Sequence, residues 1–203
     1  PGGVCQGDAG TTITGICLDS RKAAPGSLYV CIPGTKVDGH SFAAQAVEAG
    51  ATALVVERFL PEITCPQIKV EDARLALAQA CSAFWGHPDR DMTLVAVTGT
   101  NGKTTTTHLI KHILETQGHK VGMLGTVANY IGQEELPQHL TTPDPPELYQ
   151  LLARMRDADC DTVVLEASAH ALALRKLEGL HFAVGIFTNL TQDHLDDFHT
   201  MEN

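Results

Sequence analysis

The segment TGTNGKTT, from Thr98 to Thr105, carries the residue types best suited to chemistry in this 203-residue chain. It follows the apolar run LVAV and precedes a helix-like stretch, so its backbone amides would point at an anion such as a phosphate. The Lys103 ammonium would reach the outer phosphates of a nucleotide, and the Thr104 hydroxyl would bind Mg²⁺. The general phosphate-loop pattern requires glycine where this chain has Val97. We therefore predict a shortened phosphate loop, the alternative being a tight turn that faces solvent.

Two further side chains follow apolar, strand-like runs. Glu166 ends the run TVVLE, and His194 lies in TQDHLDD just after AVGIFTNL. Ligands of open parallel sheets bind beyond the carboxyl ends of the strands, so both side chains are expected near the phosphate loop. A carboxylate there suits Mg²⁺, although such a glutamate also caps helices or faces solvent. Asn189 and Asp193 either orient water or nucleotide in the same loop or shape the loop through hydrogen bonds.

Alternating strands and helices must position these residues. Residues 12–85 alternate short apolar runs with helical patterns, which indicates a small α/β unit. The polar segment GHPDRD at 86–91 is typical of a linker. The residues after it follow the order strand, loop, helix and strand, which favours a mostly parallel sheet with helices on both faces. We predict an α/β protein with a first domain at residues 1–88 and a phosphate-loop domain at residues 89–203.

Three helices have recognisable limits or faces. The helix that starts near Ser41 should end at Gly50, because glycine suits a left-handed C-terminal cap. Asp72 is the expected N-cap of the next helix. The face predicted to be buried in that helix comprises Leu75, Ala76, Ala80, Cys81 and Phe84. A later helix over 145–160 is predicted to bury Leu148, Leu151, Leu152 and Met155.

Composition argues against several classes of protein. The chain has 14 Lys and Arg against 24 Asp and Glu, and this net charge of −10 would repel nucleic acid. No apolar run is long enough to span a membrane and the N-terminal residues lack a secretory layout, so we expect a soluble cytoplasmic protein. The six cysteines are scattered without a Cys-x-x-Cys pair, which favours buried reduced thiols over zinc ligands or disulfides.

Several longer segments resemble one enzyme family. TGTNGKTT resembles the shortened phosphate loop of the Mur ligases and their folate-ligase relatives, which join an amine to a carboxylate with ATP. LDSRKAAPGSLYVCIPGTKVDGHSF resembles the uridine-binding first domain that two kinds of Mur ligase share. HLTTPDPPEL, LEASAHALALRKLEG and FTNLTQDHLDDFHTMEN resemble the members that add the third amino acid to a UDP-N-acetylmuramoyl dipeptide. The resemblance covers nearly the whole chain.

The resemblance implies a role for each of three groups of residues. ATP and Mg²⁺ would be held by Gly99, Thr100, Asn101, Gly102, Lys103, Thr104, Thr105, Glu166 and His194. Uridine diphosphate would be bound by Leu18, Ser20, Thr35, Lys36 and Val37. The muramoyl-peptide part would be bound by Thr141, Thr142, Ser168 and Lys176. Among these residues, the catalytic set would be Lys103, Glu166 and His194, and the metal ligands would be Thr104, Glu166 and His194.

The residues assigned to the muramoyl-peptide part include one pair with an alternative role and one that departs from the family pattern. Paired threonines before Pro143 also serve loop or cap chemistry, which the residues alone favour. Lys176 stands where arginine is common in the family, and lysine weakens the bidentate recognition of a phosphate or carboxylate.

The reaction implied by the resemblance has two steps. The glutamate carboxylate of the UDP-linked dipeptide attacks the γ-phosphate of ATP, and the amine of a free amino acid then attacks the acyl phosphate. Family members carry a carbamylated lysine further along the chain and a third domain that selects the amino acid. We therefore expect an N-terminal fragment with a partial central domain, monomeric, that binds the UDP-muropeptide but does not form the peptide bond. The alternatives are a nucleotide-binding switch module and another Mur-type or folate-type ligase.

Overall fold

The chain divides into two units between Ala83 and Phe84. The computed structural model describes residues 3–34 and 37–192, which belong to one unit at Pro1–Ala83 and another at Phe84–Asn203. The boundary expected from the sequence, between residues 88 and 89, falls inside a 3₁₀ turn at Pro88–Arg90. Within the described ranges, no helix is both long and apolar enough to cross a membrane.

A five-stranded sheet forms the centre of the first unit. Its strands are β1 (Val4–Gln6), β2 (Gly15–Cys17), β3 (Ser27–Val30), β4 (Ala51–Val56) and β5 (Gln67–Lys69). Their order across the sheet is β1-β5-β4-β3-β2, in which β1 is antiparallel to β5 and the other pairs are parallel. Parallel neighbours need a crossover, and helix α1 (Ala43–Glu48) supplies the one from β3 to β4.

The helix ends of this unit follow the predicted signals. Gly50 has a φ of +116°, and its N–H donates to the Val47 carbonyl 3.0 Å away, so the predicted C-terminal glycine cap of α1 is confirmed. Helix α2 (Ala73–Phe84) begins at its predicted N-cap. The Asp72 carboxylate accepts from the amides of Arg74 at 2.9 Å and Leu75 at 3.0 Å.

The predicted buried face of α2 is wrong. The buried residues are Ala73, Leu77, Ala78, Cys81 and Ser82, so only Cys81 belongs to both sets. Phe84 is 38% exposed. The helix contains five alanines, whose small side chains give a weak preference for either face, and the face that carries Leu77 is the buried one.

All six cysteines are free thiols, as predicted, but not all are buried. Cys5 is exposed and Cys65 is half-buried. Burial raises the pKa of both Cys31 and Cys81 to about 12, so these two thiols stay protonated and unreactive at neutral pH.

A six-stranded sheet forms the centre of the second unit. Its strands are β6 (Thr93–Thr98), β7 (Val121–Leu124), β8 (Asn129–Ile131), β9 (Glu134–Leu136), β10 (Thr162–Glu166) and β11 (Phe182–Phe187). Their order is β11-β6-β10-β7-β8-β9, parallel from β11 to β7 and antiparallel from β7 to β9. The helices are α3 (Lys103–Thr116), α4 (Pro145–Asp157) and α5 (Ala169–Ala173).

Helices α3 and α4 pack on opposite faces of this sheet. Val164 of β10 shares an apolar cluster with Ile110 of α3. On the other face, a Cβ added at Gly122 of β7 would come within 2.6 Å of the Met155 sulfur of α4. The predicted face of α4 is confirmed, since Leu148, Leu151, Leu152 and Met155 are all buried. The predicted α/β fold with mostly parallel sheets is therefore confirmed.

Strand alternation decides where Glu166 points. Successive side chains of a strand point to opposite faces, so Glu166 shares the face of Val164, which is the α3 face. The parallel strands β6 and β10 also end side by side, with Glu166 opposite Val97. This arrangement brings the last carboxylate of β10 to the start of α3.

Candidate functional site

The phosphate loop joins the end of β6 to the start of α3. Gly99 and Gly102 both have positive φ angles, +128° and +85°, a conformation that other residues adopt only with strain. The loop continues directly into the first turn of α3. The first backbone N–H groups of that helix have no carbonyl partner within the helix. The Lys103 ammonium folds back over the loop and donates to the carbonyls of Gly99 at 2.7 Å and Thr100 at 3.1 Å. The loop thus presents a helix N-terminus and an ammonium group in one place, which suits an anion.

The Glu166 carboxylate lies buried beside this loop. Glu166 is only 1% exposed, and its Oε2 accepts from the Thr104 hydroxyl at 3.1 Å. Thr126 adds two hydrogen bonds, from its N–H to Oε1 at 3.0 Å and from its hydroxyl to Oε2 at 2.9 Å. All three of these donors are neutral. These bonds stabilise the buried carboxylate but leave its negative charge in place, so a bound cation would stabilise it further.

Thr126 and its neighbour Gly125 were not among the residues predicted from the sequence. A Cβ at Gly125 would come within 2.5 Å of Glu166 Oε1, so glycine is needed to make room for the carboxylate. Both residues follow β7, whose end lies beside that of β10. The rule that drew attention to Glu166, a polar residue just after an apolar strand, would have identified Thr126 in the run VGMLGT as well.

The oxygen atoms here have the chemistry that Mg²⁺ prefers. Two hydroxyls lie close to the Glu166 carboxylate. The distances to Glu166 Oε2 are 3.1 Å from the Thr104 hydroxyl and 2.9 Å from the Thr126 hydroxyl. Mg²⁺ takes such oxygen ligands and keeps several waters, so two or three protein oxygens are sufficient. Within residues 3–34 and 37–192, no cluster of three or more His, Cys, Asp or Glu side chains is arranged to hold a metal ion. Because the oxygens beside Glu166 are hydroxyl and carboxylate groups, the described residues fit a magnesium site.

Four of the predicted site residues lie outside the described residues. They are Thr35, Lys36, Asp193 and His194.

The predicted muramoyl-peptide residues lie next to Glu166. The Thr141 and Thr126 hydroxyl oxygens lie 3.1 Å apart, within hydrogen-bond distance. The buried Thr142 hydroxyl donates to the Glu166 carbonyl at 2.8 Å, and Ser168 accepts from the Ala171 amide at the start of α5. These bonds connect the loop before α4 with the end of β10.

Lys176 is held in an ion pair beside the same loop. Its ammonium lies 2.8 Å from Asp144 Oδ1 and 3.4 Å from the Thr142 carbonyl, and its side chain is 13% exposed. Asp144 precedes α4, so the pair ties the segment after α5 to the N-terminus of that helix.

In the first unit, the predicted uridine residues follow β2. Leu18 is half-buried, and the buried Ser20 hydroxyl donates to Gln45 Oε1 in α1 at 2.9 Å. The Arg21 guanidinium, which donates to Asp19, lowers the pKa of that carboxyl to about 2.

Val37, in the turn after β3, is 55% exposed. The next residue, Asp38, accepts from the His40 amide at 3.0 Å and pairs with Arg58 at 2.6 Å, and these contacts hold its pKa well below the usual range. The buried His40 ring accepts from the Glu57 amide through Nε2, so Nδ1 carries the proton and donates to Asp38. This network fixes the turn that carries Val37.

Asn189 lies after β11 and bonds the phosphate loop. Its side-chain amide donates to the Asn101 carbonyl at 3.0 Å and accepts from the Asn101 N–H at 3.1 Å. The sequence left two roles open for Asn189, which were to orient water or nucleotide or to shape the loop through hydrogen bonds. These two hydrogen bonds correspond to the second role.

Two family profiles match the chain. Residues 97–203 match the "Mur ligase middle domain", and residues 12–85 match the "Mur ligase family, catalytic domain". The first match alone covers more than half of the chain and includes the phosphate loop and Glu166.

Individual relatives agree with these matches. The chain is 47% identical over 189 residues to the "UDP-N-acetylmuramoyl-L-alanyl-D-glutamate--2,6-diaminopimelate ligase" of Clostridium botulinum, an alignment that covers 91% of this chain and 39% of that protein. It is 48% identical over 194 residues to the protein of the same name from Parabacteroides distasonis, covering 94% of this chain and 40% of that protein.

A solved structure of similar name has the same fold. The "Structure of UDP-N-acetylmuramoyl-L-alanyl-D-glutamate--2,6-diaminopimelate ligase" superposes with a TM-score of 0.76 at 29% identity, covering 90% of this chain and 37% of that one. The chain thus spans about 40% of the length of the curated relatives it matches. The phosphate loop, the buried strand-end glutamate and these matches together place the chain in the Mur ligase family.

Proposed function

We propose that this chain is part of an ATP-dependent ligase that joins an amino acid to UDP-N-acetylmuramoyl-L-alanyl-D-glutamate in the synthesis of peptidoglycan. One observation carries the proposal. The phosphate loop and the buried Glu166 carboxylate meet at the ends of β6 and β10, and Thr104 bonds the two. A nucleotide phosphate and a magnesium ion suit that meeting point, and ligases of this substrate are the curated relatives at 47% and 48% identity.

The proposed chemistry begins with phosphoryl transfer. An oxygen of the D-glutamate side-chain carboxylate forms a bond to the γ-phosphorus of ATP as the bond to the β–γ bridging oxygen breaks, which gives an acyl phosphate and ADP. The Lys103 ammonium and the leading amides of α3 stabilise the charge on the transferring group, because they are fixed before the reaction begins. Thr104 and Glu166, the latter held by Thr126, would bind Mg²⁺, which would supply positive charge to offset that of the phosphates.

The second step makes the amide bond. The amine nitrogen of the incoming amino acid attacks the acyl carbon, the C–O bond to phosphate breaks with release of inorganic phosphate, and the nitrogen loses a proton to water. Thr141, Thr142, Ser168 and Lys176 lie around Glu166, and we assign the muramoyl-peptide part of the substrate to them. Positioning of the two reactants accounts for much of the expected acceleration.

We assign the uridine diphosphate to the first unit. Ser20 and Val37 follow β2 and β3 at the same edge of a parallel sheet, where ligands of such sheets bind. Leu18 adds an apolar contact, and Thr35 and Lys36 complete the proposed set. We further propose a cytoplasmic monomer, and size-exclusion chromatography with light scattering tests the oligomeric state.

The proposed amino acid is 2,6-diaminopimelate, which the names of the relatives contain. The test uses a full-length protein that carries this sequence, with ATP, Mg²⁺, the UDP-linked dipeptide and either meso-diaminopimelate or L-lysine. Mass spectrometry should detect the diaminopimelate tripeptide together with ADP. Reactions without amino acid, and with UDP-N-acetylmuramic acid lacking the dipeptide, serve as controls.

Other outcomes would point elsewhere. Product with lysine alone would overturn the choice of amino acid but not the ligase. Nucleotide hydrolysis that is indifferent to any UDP-linked substrate would contradict the ligase and favour a nucleotide-binding switch.

A further inference from the structure

The four residues that follow β11, Thr188–Thr191, lie against the phosphate loop. We call them the 188–191 segment. The 188–191 segment lies close to the phosphate loop because β11 is parallel to β6, with Phe187 opposite Thr98. Both strands therefore leave the sheet side by side at the edge where the phosphate loop begins.

Backbone pairing continues past the ends of the two strands. The Thr188 N–H donates to the Thr98 carbonyl at 2.9 Å, and the Thr100 N–H donates to the Asn189 carbonyl at 2.9 Å. The first half of the phosphate loop is thus paired as an extension of the parallel ladder.

Asn189 binds both backbone groups of one loop residue. Its Oδ1 accepts from the Asn101 N–H at 3.1 Å, and its Nδ2 donates to the Asn101 carbonyl at 3.0 Å. The two ends of one planar amide therefore fix the orientation of Asn101, the residue before Gly102. Because the Asn101 N–H is already bonded, the anion is left to the amides that follow and to Lys103.

Two threonines complete the contact. The Thr188 hydroxyl lies 2.7 Å from the Asn101 carbonyl, and the Thr191 N–H donates to the Thr100 hydroxyl at 2.9 Å. The approach is so close that a Cβ at Gly99 would be only 2.8 Å from the Asn189 carbonyl oxygen. A glycine at this position is therefore required by the 188–191 segment as well as by its positive φ.

We propose that the 188–191 segment holds the phosphate loop in its anion-binding conformation, with Asn189 as the main positioning residue for the nucleotide phosphates. A loop with two glycines at positive φ has much conformational freedom to lose when it binds a phosphate. Bonds from outside the loop remove that freedom in advance, and such preorganisation strengthens binding. The inference rests on the proposed function, because it takes the phosphates of ATP as the ligand.

The test compares four variants of the full-length ligase: Asn189→Ala, Asn189→Asp, Thr188→Val and Thr188→Ser. Loss of a bonding group should raise the KM for ATP by about tenfold in Asn189→Ala and Thr188→Val. Asn189→Asp should raise it further, because a carboxylate cannot donate to the Asn101 carbonyl and repels phosphate. Thr188→Ser keeps the hydroxyl and should restore a KM near that of the wild type.

The KM for the UDP-linked dipeptide and the melting temperature separate positioning from general stability. Both should change little in all four variants, because the altered bonds lie in an exposed loop. An unchanged KM for ATP in Asn189→Ala would overturn the proposal, and so would equal increases in both KM values with a lower melting temperature. An inactive wild-type enzyme would instead contradict the proposed function, so the two failures are distinguishable.

Discussion

At the scale of single residues, Lys103 is the cation that the phosphate loop holds ready for a nucleotide. Its ammonium is bonded to two loop carbonyls and would exchange them for phosphate oxygens. In the full-length protein, Lys103→Ala should lower the rate of ligation by about a hundredfold or more, as expected when a charge partner of the transition state is removed. Phosphate release measured at saturating substrate tests this, with Lys120→Ala, just before β7, as a matched control. Near-normal turnover of Lys103→Ala would contradict the role.

Thr126 acts at the same scale through Glu166. Its hydroxyl donates to the carboxylate at 2.9 Å, while its N–H makes a second bond that any side chain would keep. Removing a partner of a metal ligand costs about ten- to a hundredfold in metal affinity or activity. Thr126→Val should therefore raise the Mg²⁺ concentration needed for half-maximal activity by about tenfold, whereas Thr126→Ser should not. Identical Mg²⁺ titrations for the two variants would show that the hydroxyl has no such role.

At the scale of elements, the Asp72 carboxylate caps the N-terminus of α2. Asp72 bonds two amides that would otherwise have no helical partner. Asp72→Ala should lower the free energy of unfolding by about 1 kcal/mol, and Asp72→Asn, which keeps an accepting oxygen, by less. Urea denaturation followed by circular dichroism measures both. Equal losses in the two variants would mean that the cap bonds do not stabilise the helix.

At the scale of the whole molecule, the proposed uridine site and the phosphate loop lie in separate units. Ser20 belongs to the first unit and the phosphate loop to the second, so a change in one site should leave the other unaffected. Ser20→Ala should weaken binding of the UDP-linked dipeptide by about tenfold, the effect of one lost hydrogen bond, without changing the affinity for ATP. Calorimetric titration of both ligands is the measurement.

A matched control variant distinguishes loss of the Ser20 hydroxyl as a ligand contact from loss of its hydrogen bond to Gln45. Gln45→Ala removes the same internal bond but keeps the Ser20 hydroxyl, and it should bind the dipeptide better than Ser20→Ala does. Equal losses for both ligands in Ser20→Ala would count against separate sites.

Much of the α/β fold could be predicted because its signals are local. Gly50 and Asp72 act on the backbone within a few residues of themselves, and the apolar face of α4 follows a single helical period. The same is true of the phosphate loop, whose glycines, lysine and threonine are consecutive and lie between a strand and a helix. Such patterns depend on backbone conformation and on hydrogen bonds within one turn, which are determined by the residues themselves.

Tertiary structure decided the contacts between segments that are distant in the sequence. Strand order and register place β7 and β11 beside their neighbours, and only this brings Thr126 to Glu166 and Asn189 to Asn101. The buried face of α2 and the pairing of Lys176 with Asp144 depend in the same way on what each element packs against. The sequence by itself therefore identified the phosphate loop and Glu166 as candidates for binding a phosphate and a metal ion, but not Thr126. The sheet determined which of them meet, because spatial neighbours across strands have no fixed separation along the chain.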